Sequence, residues 1–256
     1  MSKKFTVLNV GEIEYDERPF ESECFKNKTI EIQDWKAENG KIRELFRQFE
    51  ISETLEKGDL LFTRFDVNDA KKSKEARDCG FYFMEVSIEP FILVQDWKSE
   101  NFQNRIFTLE QVGAKRIKEV MSIGESALTG LRFNRDDGIG EKLARERYRS
   151  WLQNAYDAGQ DIVALIVDDA VVGFMLIKYD SNNNSAVWML GGINPKFQGQ
   201  GYGLKTYASV LAYCKEQGVE TIQTGISVGN VPVFNLYSKL GFKFKNPKAV
   251  MHYVIG

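Results

Sequence analysis

The sequence predicts an α/β (α+β) protein with a small N-terminal α/β unit and a larger second domain whose sheet is flanked by helices. Three observations carry that prediction. Short apolar runs alternate with helix-period stripes along most of the 256 residues. Ile162 to Val167 and Val171 to Tyr179 flank Asp168-Asp169, a hairpin signal. Val187 to Leu190 then leads through glycines into an amphipathic stripe of Leu204, Tyr207, Ala208 and Leu211.

In chain order, Glu31 to Trp35 is strand-like, and Ile42, Leu45, Phe46 and Phe49 make a helix stripe closed by a turn at Lys57-Gly58. Leu60 to Phe65 reads as a strand and Ala70 to Cys79 as a charged helix. Gly80 stops that helix, and Phe81 to Leu93 is a long strand interrupted by Pro90. The polar stretch 95–104 is the candidate linker, giving domains over 1–100 and 105–256. The second domain opens with a strand at Arg105 to Leu109 and a helix at Gln111 to Met121. After the polar loop 132–138, a helix carries Tyr148, Trp151, Leu152 and Ala155 on one face. A turn at 182–185, the Val187 strand, the glycine loop and its helix follow. A strand at Thr221 to Ile226, a helix at Val231 to Leu240 and strands around Phe242 and Tyr253 complete the chain. No internal sequence repeat of fixed period is visible.

Composition narrows the chemistry. Apolar residues make up 43% and charged residues 27%, the balance of an ordinary globular protein, and a net charge of −2 gives no electrostatic footprint for nucleic acid. No apolar segment approaches the length of a membrane span. The first residues contain no apolar signal core, and three dispersed cysteines form no CxxC, so reduced thiols, no metal site and a cytoplasmic location are expected. His252 is the single histidine, lies in an apolar run and reads as structural. Tyrosine, carboxylates, backbone amides and ordered water must carry any catalysis.

Pro195 to Gly203 is the most informative segment. A strand that turns through Gly199, Gly201 and Gly203 into a helix start offers unpaired amides and the positive end of the helix dipole, which suits phosphate. Downstream, Asn230 is placed to cap a helix that contains Tyr237 and ends at Gly241. Gln198-x-x-Gly201-x-Gly203 together with this second motif resembles the acetyl-coenzyme A site of the GCN5-related N-acetyltransferase (GNAT) superfamily, with Gly199 where that family often carries Arg or His. The resemblance implies a mixed, mostly antiparallel sheet flanked by helices, and acetyl-CoA as cosubstrate. It implies that Gln198, Gly199, Gln200, Gly201, Tyr202, Gly203 and Leu204 cradle the pyrophosphate. It further implies that Gly191, Gly192 and Ile193 hold the pantetheine and acetyl carbonyl, that Asn230 contacts the cofactor, and that Tyr237 protonates the departing thiolate. Tyrosine chemistry agrees, since a phenol of ordinary pKa is protonated at neutral pH. By spacing alone Tyr237 equally fits a core stripe with Val233, Leu236 and Leu240.

A narrower resemblance concerns the acceptor. Phe20 to Phe25, Leu60 to Phe65, Gly80 to Glu89, and Arg132-Phe133 with Asp136, Ala144, Tyr148, Trp151 and Asn154 resemble segments of nucleotide-sugar N-acetyltransferases similar to dTDP-fucosamine acetyltransferase. Cys24, Lys26 and Ser87 depart from that pattern. The implied acceptor is a small molecule, a dTDP- or UDP-linked amino-deoxysugar, attacked directly in a ternary complex, and a homodimer is common in the superfamily. Glu85 is the candidate base or a strand-edge carboxylate. Arg132, and less specifically Arg135, suits phosphate oxygens. Phe133 and Tyr148 could line the pocket, although Tyr148 and Trp151 at helical spacing also fit a core. An acetyltransferase for a protein N-terminus, amino acid or polyamine, and a non-catalytic acetyl-CoA sensor, remain open.

Overall fold

The computed structural model describes residues 2–128 and 130–256. Its first half contains β1 (Lys3–Val7), β2 (Gly11–Glu17), α1 (Pro19–Phe25), β3 (Thr29–Ala37), α2 (Ile42–Ser52), β4 (Leu60–Asp66), α3 (Ala70–Asp78) and β5 (Tyr82–Leu93). Next come β6 (Glu110–Gln111), α4 (Ile117–Ala127), α5 (Glu141–Asp157), β7 (Asp161–Val167), β8 (Ala170–Asp180) and β9 (Ser185–Ile193). The chain ends with α6 (Tyr202–Glu216), β10 (Thr221–Thr224), β11 (Ile226–Ser227), α7 (Val231–Leu240) and β12 (Lys243–Val254). Two compact units divide these elements: Met1–Ser87, Arg132–Ala144 and Asn246–Gly256 form the first, and Ile88–Leu131 and Arg145–Lys245 form the second.

Periodicity explains most elements. The stripe Ile42, Leu45, Phe46 and Phe49 is buried along α2, inside the first unit's core. In α3 only Ala76 is buried, as its charged sequence requires. Strand β8 is apolar on both faces and buried from Val171 to Ile177, because helices cover both sides of the second unit's sheet.

Several expected elements differ. No strand forms at 105–109: Ser99–Arg105 is a 3-10 turn, and the Phe107 amide donates to Ser209 Oγ at 2.8 Å instead of to a ladder. Extended pairing starts at Glu110, and Val112 N donates to the Ile162 carbonyl at 2.8 Å, so the helix begins at Ile117 rather than Gln111. Within 95–104, Trp97 is buried in the second unit's core. The strands expected around Phe242 and Tyr253 are one strand, β12, with a left-handed residue at Asn246 (φ 53°). The pairing of β1 with β2, and α1, had no signal in the sequence pattern.

Both units contain the same turn of topology. In the second, the antiparallel pair β8–β9 is followed by α6, by β10 parallel to β9, and by α7. In the first, β2–β3 is followed by α2, by β4 parallel to β3, and by α3. The parallel pairing runs from Thr29↔Leu60 to Ile32↔Thr63 in one and from Ser185↔Thr221 to Trp188↔Thr224 in the other. Each long strand then bulges at the next residue, Gln33 or Met189, where its hairpin register shifts. Asp69 and Asn230 cap the following helices through their side chains, and Gly80 and Gly241 end them at φ 94° and 88°. Only scattered identities coincide (Thr63 with Thr224, Val67 with Val228, Gly80 with Gly241, Phe81 with Phe242), which is why the sequence shows no repeat. On its other side β4 is flanked by Lys248–Val254 of β12, and β10 by residues 91–93 of β5.

In the first unit, His252 faces Phe62 across the β4–β12 ladder and is fully buried. Its Nδ1 lies 2.5 Å from Asp136 Oδ2. Asp136 Oδ1 accepts from Tyr82 Oη at 2.8 Å and from the Gly138 amide at 3.0 Å. This carboxylate ties the 132–144 loop to the sheet. Burial lowers the His252 pKa, opposed by Asp136 and reinforced by Arg132. Burial works to raise the Asp136 pKa, but the bonds from His252 and Tyr82 outweigh it and the net shift is downward. An unfolded imidazole takes up a proton near pH 6.5, whereas the buried one does so only at lower pH. The His252 contribution is therefore present at neutral pH and declines as pH falls below about 6.5, and that of Asp136 declines only in the carboxylate range. The thermal midpoint should fall between pH 7.5 and 5, with a shallower slope in His252→Gln. An unchanged slope would assign the acid sensitivity to other groups.

Candidate active site

The site begins with a strand that loses one neighbour. Pairing of β9 with β10 stops at Trp188↔Thr224, and Thr224 Oγ1 donates to the Trp188 carbonyl at 2.7 Å, fixing that last rung. Strand β9 continues to Ile193 with β8 alone, in the register Gly191↔Met175, Gly192↔Phe174 and Ile193↔Gly173. Beyond Gly225 the chain turns into β11, which pairs with β5. Among the described residues no strand covers the second edge of 189–193, so its main-chain groups are open to an extended ligand.

The loop 194–201 follows. Asn194 caps the 3-10 turn Pro195–Phe197 through its side chain, and Gln198 Nε2 donates to the Ile193 carbonyl at 3.0 Å, folding the loop back on the strand. Gly199 and Gly201 hold left-handed φ of 74° and 80°, conformations that favour glycine, with open space where a Cβ would stand. Among the described residues, the amides of 199–204 donate to no backbone or side-chain acceptor. They gather at the N-terminus of α6, where the helix dipole is positive, so phosphate oxygens fit them. Lys205 adds a cation, its Nζ 4.5 Å from the Tyr202 ring centroid.

The corresponding place in the first unit is a shorter loop with one left-handed glycine, Gly40 at φ 78°. Its strand-to-helix loop is 38–41, and a cleft of about 300 Å³ there is lined by Gly40, Arg43, Lys71, Lys74 and Asp78 among others. Ion pairs occupy it: Lys74–Asp78 at 2.9 Å, Lys71–Glu75 at 3.8 Å and Arg43–Asp78 at 3.9 Å. Ala76 stands where the second unit has Tyr237.

Asn230 caps α7, accepting from the Val233 amide at 3.4 Å. Tyr237 is 3% exposed, packed against Trp188, Tyr207 and Phe242 with ring centroids 6.1, 5.6 and 4.8 Å away. Burial, more than the neighbouring Tyr207, pushes its pKa well above the ordinary phenol value, so the hydroxyl keeps its proton. Thr224 and Tyr207 are its polar neighbours. Neither was singled out from sequence as a site residue, because Tyr207 looks like any member of the α6 core stripe.

The acceptor-side candidates fall into two groups. Arg132, Phe133 and Glu85 belong to the first unit, and Tyr148 to the second with the loop and Tyr237. Phe133 is buried beside Phe25, Phe62 and His252, and the Arg132 guanidinium carbon lies 4.4 Å from the Phe133 ring centroid. Glu85 pairs with Arg135 at 3.3 Å, and Arg135 also donates to the Met84 carbonyl at 3.1 Å. Tyr148 is buried with Leu152 and Val120. Among the described residues no group of three or more His, Cys, Asp or Glu is placed to hold a metal.

Residues 132–242, under half of the chain, match the acetyltransferase (GNAT) family. No curated protein matches the chain. Among solved structures, the fold is similar to a functionally unknown conserved protein from Staphylococcus epidermidis (TM-score 0.67, 14% identity, covering 100% of this chain and 95% of that one). It is also similar to a tandem GNAT protein from the clavulanic acid biosynthesis pathway (0.61, 13%, covering 96% and 79%). A third is a GCN5-related glucosamine N-acetyltransferase region of a fungal multi-domain GH3 β-N-acetylglucosaminidase (0.66, 13%, covering 95% and 31%). The fold is the GNAT fold: a mixed sheet flanked by helices.

Calorimetric titration with acetyl-CoA should give one site per chain, because ion pairs occupy the corresponding cleft of the first unit. Gly201→Val should weaken that binding at least about tenfold while left-handed strain costs the fold only about 1–2 kcal/mol. Two sites per chain would show that the first unit's cleft also accepts the cofactor.

Proposed function

We propose that this chain, an acetyl-CoA-dependent acetyltransferase of the GNAT fold, delivers its acetyl group to the amine of a small polar acceptor, a dTDP- or UDP-linked amino-deoxysugar. One observation carries the cofactor half: the open edge of 189–193 leads directly into the free amides of 199–204. Gly191, Gly192 and Ile193 would hold the pantetheine arm and acetyl carbonyl. Gln198 to Leu204 would hold the pyrophosphate, and Asn230 would contact the cofactor. When bound, acetyl-CoA supplies a thioester carbon that an amine can attack.

The protein's own part is positional and acid–base. Amides on the open β9 edge face the negative charge that develops on the acyl oxygen. Tyr237 keeps a proton available for the departing sulfur, since burial disfavours its ionised form. Glu85, directly or through water, would take the ammonium proton so that a neutral amine attacks. Its pairing with Arg135 at 3.3 Å holds the carboxylate in place.

The acceptor class rests on the arginines of the 132–135 turn, which suit a diphosphate, and on the resemblance of several first-unit segments to nucleotide-sugar acetyltransferases. Arg132, Phe133 and Tyr148 would be its contacts. That the GNAT fold also forms a region named for glucosamine N-acetylation is compatible with an amino-sugar acceptor.

Coenzyme A release measured against dTDP- and UDP-linked 3- and 4-amino-deoxysugars, amino acids, polyamines and peptides tests the reading. Turnover is expected on one nucleotide sugar, and turnover confined to the other classes would overturn the acceptor assignment. Tyr237→Phe should lower kcat roughly 10²-fold with acetyl-CoA affinity unchanged. Glu85→Gln should weaken the pH–rate profile and move it upward, and a wild-type profile would return Glu85 to a structural role.

A further inference from the structure

We propose that Arg18, Arg64 and Arg132 of the first unit form a diphosphate-binding site, and that it holds the nucleotide end of the acceptor. This rests on the nucleotide-sugar reading and adds two phosphate ligands, Arg18 and Arg64, that the sequence did not single out. Register builds the floor of the site. Glu31 stands beside Phe62 in the β3–β4 ladder, and Phe62 beside His252 in the β4–β12 ladder. Arg64 follows Phe62 by two residues on β4 and so shares its face. Glu31 is buried, with Oε2 paired to Arg18 and Oε1 3.1 Å from Arg64 Nε. The guanidinium carbons of Arg64 and Arg132 lie 5.6 and 4.8 Å from the Phe62 ring centroid, so both cations stand over one ring.

The contacts that hold these groups use few of their donors. A guanidinium has five N–H donors in a fixed fork. Arg64 meets Glu31 through Nε, and Arg132 is held over the faces of Phe62 and Phe133, an attraction that takes no N–H donor. Arg18 Nε is buried with no hydrogen-bond partner among the described residues, and so is His252 Nε2. Buried polar atoms are seldom left unpaired, so an orphan on a cation points to a ligand that completes it.

The rim is reachable and its field is positive. The Arg18 and Arg64 side chains are 36% and 40% exposed, whereas that of Glu31 is 6% exposed. Burial lowers the His252 pKa, and Arg132 and Arg64 lower it further, against the pull of Asp136. Guanidinium forks match phosphate oxygens, and three forks around one ring suit two linked phosphates better than a single carboxylate. Arg135 is engaged differently: it pairs with Glu85 and donates to the Met84 carbonyl.

Calorimetry on protein saturated with coenzyme A tests the site, because the second unit's amides are then filled. The probes are dTDP, UDP, dTMP and inorganic pyrophosphate. In wild type, dTDP or UDP should bind at one site per chain, at least about tenfold tighter than dTMP. Arg64→Gln and Arg132→Gln should each weaken that binding at least about tenfold and leave coenzyme A affinity unchanged. Arg64→Lys should recover only part of the loss, since an ammonium keeps the charge without the fork. Arg132→Gln leaves both partners of Glu31 in place, so it decides the question if Arg64→Gln unfolds. Wild-type dTDP affinity in Arg132→Gln, no binding of either nucleotide to wild type, or competition with coenzyme A would overturn the site. Acetylation of a nucleotide sugar with unchanged KM in both Gln variants would also overturn it, while the acceptor reading would stand. Diphosphate binding lost in both variants, with turnover confined to amino acids or peptides, would leave the diphosphate site standing and defeat the acceptor reading alone.

Discussion

The shortness of one parallel pairing governs the second unit. β9 and β10 share a ladder only from Ser185↔Thr221 to Trp188↔Thr224, and β9 bulges at Met189 immediately afterwards. A bulge adds local twist and re-aims the strand, so β9 leaves its neighbour while staying hydrogen-bonded to β8. Five further residues, 189–193, then keep one edge free. Because the strand leads through 194–201 into α6, the same departure that opens the edge also delivers free amides at a positive helix end. Pairing continued along 189–193 would close the edge.

That geometry sets what the side chains must supply. Amides and a helix dipole handle negative charge without any titrating group, and the proposed acid is a phenol kept neutral by burial. A chain with a single histidine can therefore build this site while using the histidine elsewhere. His252 is spent on Asp136, and with Tyr82 it organises the 132–144 loop in the first unit. The buried carboxylate is tolerable there because three donors surround it.

The two units show how far a backbone device is from a site. Both carry a four-rung parallel pairing, a bulge and a capped helix. The second adds a long glycine loop and Tyr237, whereas the first has a short loop, Ala76 and a cleft crossed by lysine–carboxylate pairs. Fold and ligand are separable here, and loop length and a few side chains separate them.

What was legible in the sequence is local chemistry. Glycines at left-handed positions, Asn230 as a cap, Gly241 as a stop and the stripes of α2 and α7 each follow from the needs of a few consecutive residues. The strand expected at 105–109 failed because a side chain 102 residues away, Ser209, took an amide that periodicity assigned to a ladder. Apart from the hairpin at Asp168-Asp169, which forms as β7–β8, pairing partners were not legible. That β12 flanks β4, that Asp136 meets His252 116 residues on, and that Tyr207 reaches Gly191 depend on register and on the bulge at Met189. The sequence by itself determined where free amides at a helix start and a phenol-bearing helix would form, because those are properties of neighbours along the chain. Tertiary structure alone decided which strand lost its partner and which hydroxyl reaches its edge, because hydrogen-bond register is a property of residues far apart.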